Sequence, residues 1–297
     1  MLDSRNLAAV GIQATVGING RISDAAAACI SVFDHGFLYG EGVYETLRTY
    51  RRRPFFFDEH MARLRRSAAR IALAVPRTDD ELKRDVDAVL AAHDAPGESY
   101  IRVLLTRGIG ELTYRPSACP EPTLVVIVKA FTPQPDEVYA RGVEVALVEV
   151  RRNHRDALDP MIKSNNLLNN ALAMQQAYAR GADEALMKNL DGHLVECAQS
   201  NVFLVRGGEL QTPPLEDGLL PGITRAFALE LAADLGIPAR EVTLPVSAID
   251  EAQEAFLTGT TREITPIVRV DGRPVGDETP GPITRRLHAE FRRRTAG

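Results

Sequence analysis

This 297-residue sequence has no tryptophan, three cysteines and only four lysines among its 35 basic residues. The missing tryptophan excludes no class of function. Cys29, Cys119 and Cys197 are odd in number, widely spaced and form no CxxC pair. That argues against a disulfide framework or a thiolate zinc site and fits a reduced, cytoplasmic protein. There is no excess of positive charge: the formal net charge is −5, which disfavours nucleic acid as a partner. No stretch approaches the ~20 apolar residues of a membrane-spanning helix. Residues 1–13 lack a basic region followed by a long apolar run, so no secretory signal is visible. The six histidines show no metal-ligand spacing, and GxxxxGK[ST], HExxH and GxSxG are all absent. Gly40-x-Gly42 and Gly108-x-Gly110 lack the third glycine and the strand–turn–helix setting of a dinucleotide site. No metal is expected.

What is present is an ordinary globular composition, 45% apolar and 25% charged, long enough for two modest domains or one large one. Residues 43–50, VYETLRTY, read as a strand. Residues 58–74 have helical spacing, with Met61, Leu64, Ala68, Ile71 and Ala72 on one stripe. Residues 79–93 form a second amphipathic helix, and 100–106 and 123–131 read as strands, the latter apolar enough to be central. TPQPDEVYARG places two prolines in four residues, so a linker is expected at 132–137, dividing an amino-terminal α/β domain (1–131) from a carboxy-terminal domain (138–297). Beyond it come a strand at 143–150, a helix marked by Leu167, Ala171, Met174 and Tyr178, and hairpins turning at Asp191-Gly192 and Gly207-Gly208. A helix at 224–235 and a strand EAFLT complete the pattern. Strands and helices mix without βαβ alternation, which predicts an α+β fold.

Lys163 lies in MIKSNNLLNN, a segment with no other charge, in a chain whose other basic residues are almost all arginine. It reads either as a surface lysine at a helix entrance or as an amine that attacks a carbonyl to give a Schiff base, which guanidinium cannot do. Glu196 ends the strand HLVEC. Alone it is a loop charge; beside a Schiff-base lysine it gains a role, because pyridoxal phosphate needs a carboxylate against its ring nitrogen. A phosphate could be held by LLPGIT (residues 219–224), which opens a helix, or by TGTT (residues 258–261), which follows a strand. Arg63, by itself an ordinary helix arginine, could add permanent charge.

In order along residues 17–291, VFDHGFLYGEGVYETLR, the HMARL helix, YIRVLLTRG, MIKSNNLLNN, DGHLVECAQSNVF, LLPGITR and TGTTREITPI make the chain resemble the class IV aminotransferases, the fold-type IV pyridoxal-phosphate enzymes. The resemblance implies a two-domain α+β fold with a small amino-terminal α/β domain and a larger, barrel-like carboxy-terminal domain. It implies Lys163 as catalytic and cofactor-bearing lysine and Glu196 as partner of the pyridine nitrogen. Arg63, Ile223, Thr224 and Thr260 match the phosphate cup, and Leu220 a residue packing on the ring. It also implies a homodimer with shared active sites, Tyr39 matching a residue borrowed across the interface.

The substrate signals diverge. Arg102, in SYIR, matches an arginine that the branched-chain enzymes place near the substrate carboxylate; it could equally lie on a strand's wet face. Tyr44-Glu45-Thr46 stands where those enzymes usually read FEG, and Thr46 should crowd that side of the pocket. Thr260-Thr261 is more similar to the D-amino acid transaminases, with Thr261 facing substrate. Arg107 and Arg115 are candidates for the basic carboxylate trap of those enzymes. The favoured expectation is a branched-chain L-amino acid/2-oxoglutarate aminotransferase. D-amino acid transaminase follows, then aminodeoxychorismate lyase or (R)-amine transaminase, and finally a non-catalytic cofactor-binding homologue.

Overall fold

The computed structural model describes residues 11–296; residues 1–10, most of the stretch read for a leader, and residue 297 lie outside the described residues. Two compact units emerge. The first runs to Thr132 and includes Ile162–Asn166; the second comprises Pro133–Met161 and continues from Leu167.

The first unit is a six-stranded sheet with helices on it. Its elements are β1 (Ala14–Ile18), β2 (Arg21–Asp24), the short α1 (His35–Tyr39), β3 (Gly42–Tyr50), β4 (Arg53–Pro54), α2 (Phe57–Arg70), α3 (Asp79–Ala92), β5 (Ser99–Thr106) and β6 (Thr123–Ala130). The sheet order is β2-β1-β6-β5-β3-β4, so the apolar strand at 123–130 is central as its composition requires. Alternation sets the faces: Val43 and Leu47 join Ile101, Val103 and Leu105 in one core with Met61, Leu64 and Ala68 of α2 and Leu82, Val86 and Val89 of α3. Burying each of the Val, Leu, Ile and Met side chains among them contributes about 1.5–3 kcal/mol. The helix expected at 58–74 stops four residues early. Ala72 turns left-handed (φ 49°), and this reversal tucks Leu73 back into the core. α3 is fixed by a capping box, Thr78 with Glu81.

Residues 162–166 belong here because they add to the free edge of β3. Tyr44 N–H donates to the Lys163 carbonyl and Asn165 N–H to that of Gly42, each at 2.9 Å, while Val43 and Ser164 form a bridge. β4 covers the far end of the same edge.

The second unit contains α4 (Asp136–Arg141), β7 (Val143–Arg151), α5 (Leu168–Ala179), β8 (Glu184–Lys188), β9 (His193–Cys197), β10 (Asn201–Arg206), β11 (Glu209–Thr212), α6 (Ile223–Asp234), β12 (Ala239–Glu241), β13 (Leu244–Pro245), β14 (Glu254–Gly259), β15 (Glu263–Val270), β16 (Arg273–Pro274) and α7 (Pro282–Ala296). Strands β10-β14-β15-β7-β8-β9 run in a row, and β9 pairs back onto β10, closing a six-stranded barrel. The ring closes at one pair, Asn201 opposite Glu196. β7 and β8 are parallel, which demands a crossover, and α5 supplies it. Along β7 and β8 alternate residues part: Val145 and Leu186 join one core, while Ala146, Val148, Ala185 and Met187 pack with Ala173, Met174 and Ala177 of α5. The α+β, two-part architecture with a barrel-like second half is as expected. Among the described residues no helix is long and apolar enough to cross a membrane, and no His/Cys/Asp/Glu group could hold a metal ion.

Candidate active site

In the first unit the chemistry-bearing side chains gather along β3. Lys163, on the added edge segment, is half-buried; its Nζ lies 4.6 Å from the Tyr44 ring centroid, and its N–H donates to Ser67 Oγ of α2 at 3.2 Å. Arg102, opposite Thr46 in the β3–β5 register, places its guanidinium carbon 4.1 Å from the centroid of that same Tyr44 ring. Lys163 and Arg102 thus both pack against the Tyr44 ring. Arg102 Nε is buried with no hydrogen-bond partner among the described residues, a donor left for an anion. Thr46 Oγ1 and Tyr100 Oη, 3.4 Å apart, make this face of the sheet polar.

On the opposite face of β3, Glu45 is the charged residue among apolar neighbours, and α2 answers it. Arg63 donates from Nε and Nη2 to the two Glu45 oxygens, each at 2.7 Å, and His60 Nδ1 lies 2.7 Å from Oε2. Burial alone would raise the Glu45 carboxyl, but the Arg63 charge and the bonds from Arg63 and His60 outweigh it and bring the pKa down to about 2. Burial lowers the His60 imidazole against the pull of Glu45, with Arg63 and Lys163 adding to the fall. Arg63, matched to the phosphate cup, is therefore also half of a buried fork.

Tyr39 sits at the end of α1, its ring 5.0 Å from that of Tyr114 and 4.9 Å from His35. Around it Val32, Phe33, Phe37, Ile109 and Leu112 are exposed. Arg107 is a brace and not a carboxylate trap: Nε donates to Glu41, and its terminal nitrogens donate to the Ile71 and Ala72 carbonyls that follow α2. Arg115 is exposed.

In the second unit the candidates meet at the barrel seam. Glu196 is 5% exposed. Arg152 Nε donates to its Oε1 at 2.7 Å, while Asn201 Nδ2 (3.2 Å) and the Leu220 N–H (3.1 Å) donate to Oε2. Asn201 Nδ2 also donates to the Leu220 carbonyl, so the Leu220 backbone is fastened to the carboxylate from both sides. Two residues on, Gly222 caps α6, and a Cβ there would run into Asn201 Oδ1. No side chain caps this helix, leaving the N–H groups of its first turn, at Ile223 and Thr224, to an anionic ligand. Across the ladder Asn201 faces Thr258, whose buried Oγ1 has no partner among the described residues; the half-buried Thr260 and Thr261 follow in the turn. Glu196, Leu220, Ile223, Thr224, Thr260 and Thr261 therefore share one end of the barrel.

Sequence reasoning missed Arg152 and Asn201, whereas Thr258 opens the TGTT turn already read as able to hold a phosphate. Asn201 carries a signal: it lies five residues after Glu196 across a hairpin turn, where pairing with Glu196 is the natural register. Arg152, in a run of arginine at the end of a strand, has none. These residues fit a phosphorylated pyridine aldehyde. The uncapped helix start and orphan threonine hydroxyl suit a phosphate, and the held carboxylate suits a ring nitrogen.

Residues 42–270 match the family model for amino-transferase class IV. A provisionally named branched-chain-amino-acid aminotransferase of Methanocaldococcus jannaschii is 38% identical over 277 residues, covering 93% of this chain and 94% of its own. The D-alanine aminotransferase of a Listeria monocytogenes strain is 33% identical, covering 92% and 93%. Among solved structures, the T.th. branched-chain amino acid aminotransferase with pyridoxamine 5'-phosphate superposes with a TM-score of 0.90 at 29% identity, over 96% of this chain and 95% of that one.

Proposed function

We propose, for a chain that belongs to the amino-transferase class IV family, that pyridoxal 5'-phosphate is its cofactor and that branched-chain L-amino acids and 2-oxoglutarate are its favoured substrates. The chain is a transaminase, and its substrates are an amino acid and a 2-oxo acid. The observation that carries the cofactor reading is Glu196, a buried carboxylate at the barrel seam on which Arg152, Asn201 and the Leu220 N–H converge. When bound, the cofactor supplies an electron sink that stabilises negative charge at the substrate α-carbon.

The protein's part is positional and acid–base. Glu196 accepts a hydrogen bond from the ring nitrogen, and Arg152 and Asn201 keep its oxygens aimed. Leu220, fixed by its backbone bonds, packs on the ring. The first N–H groups of α6, Thr260 and the guanidinium of Arg63, held in place by Glu45, receive the phosphate. Lys163 would hold the aldehyde and, once the substrate amine has displaced it, would be the free amine that takes the proton from the substrate α-carbon. Arg102, with Nε unpaired among the described residues, receives a substrate carboxylate. Tyr44 packs against both Lys163 and Arg102, and Thr261 lines the substrate side.

A D-amino acid reading is favoured by the Thr260-Thr261 pair and by Thr46, whose hydroxyl lies against Tyr100 and narrows that side for branched chains. The working unit is a homodimer, supported by the exposed apolar residues around Tyr39, with Tyr39 lent to the partner's site. The three unpaired cysteines support a cytoplasmic location.

The test is a half-reaction screen: L-leucine and D-alanine are each added to the cofactor-loaded protein while its absorbance is followed. L-leucine is expected to shift the spectrum to that of the aminated cofactor, and faster than D-alanine does. A faster D-alanine reaction selects the second reading, and no shift with either rejects both. Lys163→Ala should remain folded and lose turnover; wild-type activity in that variant overturns its assignment.

A further inference from the structure

Glu263 opens β15 immediately after the turn carrying Thr260 and Thr261, and its backbone is left-handed, with φ of 54°. Short hairpins give this conformation to glycine, since other side chains cost about 1–2 kcal/mol there. A glutamate persists in such a place only where its surroundings compensate. Here they do so through its side chain. Glu263 is 4% exposed, and its Oε2 lies 3.2 Å from His288 Nε2 and 3.2 Å from Arg292 Nε, both on α7.

That clamp is itself braced. Arg292 donates from Nη1 to Asp136 at 2.7 Å and lies over the Tyr139 ring, and Tyr139 stacks on His288 at 4.3 Å. Just before Glu263, the Arg262 guanidinium lies 3.4 Å from the buried carboxylate of Glu184. Its carbonyl accepts from Thr265 Oγ1 at 2.6 Å and from Gln134 Nε2 at 3.4 Å. The residues flanking Thr260 and Thr261 on their carboxy-terminal side are thus tied to β8, α4 and α7 together.

We propose that Glu263 is a positioning residue: clamped by His288 and Arg292, it holds the Thr260–Thr261 turn in the shape that receives the cofactor phosphate. This rests on the reading of that turn as a phosphate site. A side chain present only to stabilise the barrel would not discriminate between ligands with and without phosphate. Binding of pyridoxal 5'-phosphate and of pyridoxal, which has the same ring and aldehyde, separates the two roles.

Dissociation constants for both ligands are measured by absorbance titration of the wild-type protein freed of cofactor and of Glu263→Asn, His288→Gln and Thr260→Ala. Asparagine tolerates the left-handed backbone but is too short to reach α7. Glu263→Asn is expected to lose about tenfold in affinity for the phosphorylated ligand while keeping its affinity for pyridoxal, and His288→Gln severalfold in the same direction. Equal losses for both ligands, or none for either, overturn the positioning role. His288→Gln keeps the test decisive if the asparagine variant does not fold. If Thr260→Ala also leaves phosphate-dependent affinity intact, the phosphate reading of the turn fails. If it weakens binding while the Glu263 and His288 variants do not, only the clamp falls.

Discussion

Glu45 exemplifies how one side chain can strain against its element and still be indispensable. The inward face of β3 is apolar at Val43 and Leu47, and a carboxylate there is tolerable only because Arg63 meets both of its oxygens and His60 one of them. Removing one partner of a buried pair leaves the other charge uncompensated. Glu45→Gln is therefore expected to cost on the order of 3 kcal/mol, measured by denaturant unfolding; a loss near zero would show that Arg63 finds another partner. The pH dependence has a definite sign. The Glu45 pKa falls from 4.5 to about 2 on folding, so its contribution is complete above pH 4.5 and is lost as pH drops toward 2. The His60 pKa is also lowered, from 6.5, so its neutral form favours the native state and stability declines as pH falls below 6.5. Melting temperature should fall in two stages, below pH 6.5 and again below 4.5, and Glu45→Gln should lack the second. A flat profile from pH 7 to 3 in the parent protein would contradict both assignments.

At the scale of elements, the legible parts of the sequence were those governed by periodicity and by glycine. The Met61–Leu64–Ala68 stripe is the core face of α2, and Gly207 and Gly208 both adopt positive φ at the hairpin where they were expected. The end of α2 was not legible, because Ile71 and Ala72 continue the apolar stripe while Ala72 turns left-handed; the deciding contact is Leu73 with the core, a tertiary fact. The candidate site divides in the same manner. Lys163 and Glu196 stood out by chemical type, whereas Arg152 acts by a contact 44 positions away in sequence. Arg107 shows the converse: its charge suggested an anion trap, but Glu41 and two carbonyls occupy it. Gly222 supplies a test at this scale. The approach of Asn201 Oδ1 leaves no room for a methyl group, so Gly222→Ala should displace the first turn of α6. At least a tenfold loss in affinity for pyridoxal 5'-phosphate, about 1.4 kcal/mol, is expected by titration, with the fold retained by circular dichroism; unchanged affinity would remove this helix start from the phosphate cup.

For the whole molecule, the exposed apolar side chains around Tyr39 predict association. Val32, Phe33, Phe37, Ile109 and Leu112 are each more than half exposed, and such patches mark contact surfaces in soluble proteins. Sedimentation equilibrium should give about twice the chain mass of 32.5 kDa, and Phe37→Asp should shift the population toward the single chain and reduce activity with it. A fully active monomer would exclude a borrowed Tyr39.

The barrel has one further consequence. Its ring is sealed where β9 meets β10, at Glu196 and Asn201, so the pairing that completes the barrel also brings Asn201 Nδ2 onto the carboxylate. A copy whose ring is still ajar leaves Glu196 without Asn201, held from the β7 side by Arg152. On the proposed reading of Glu196, closing the ring and completing the set of donors around that carboxylate are a single event.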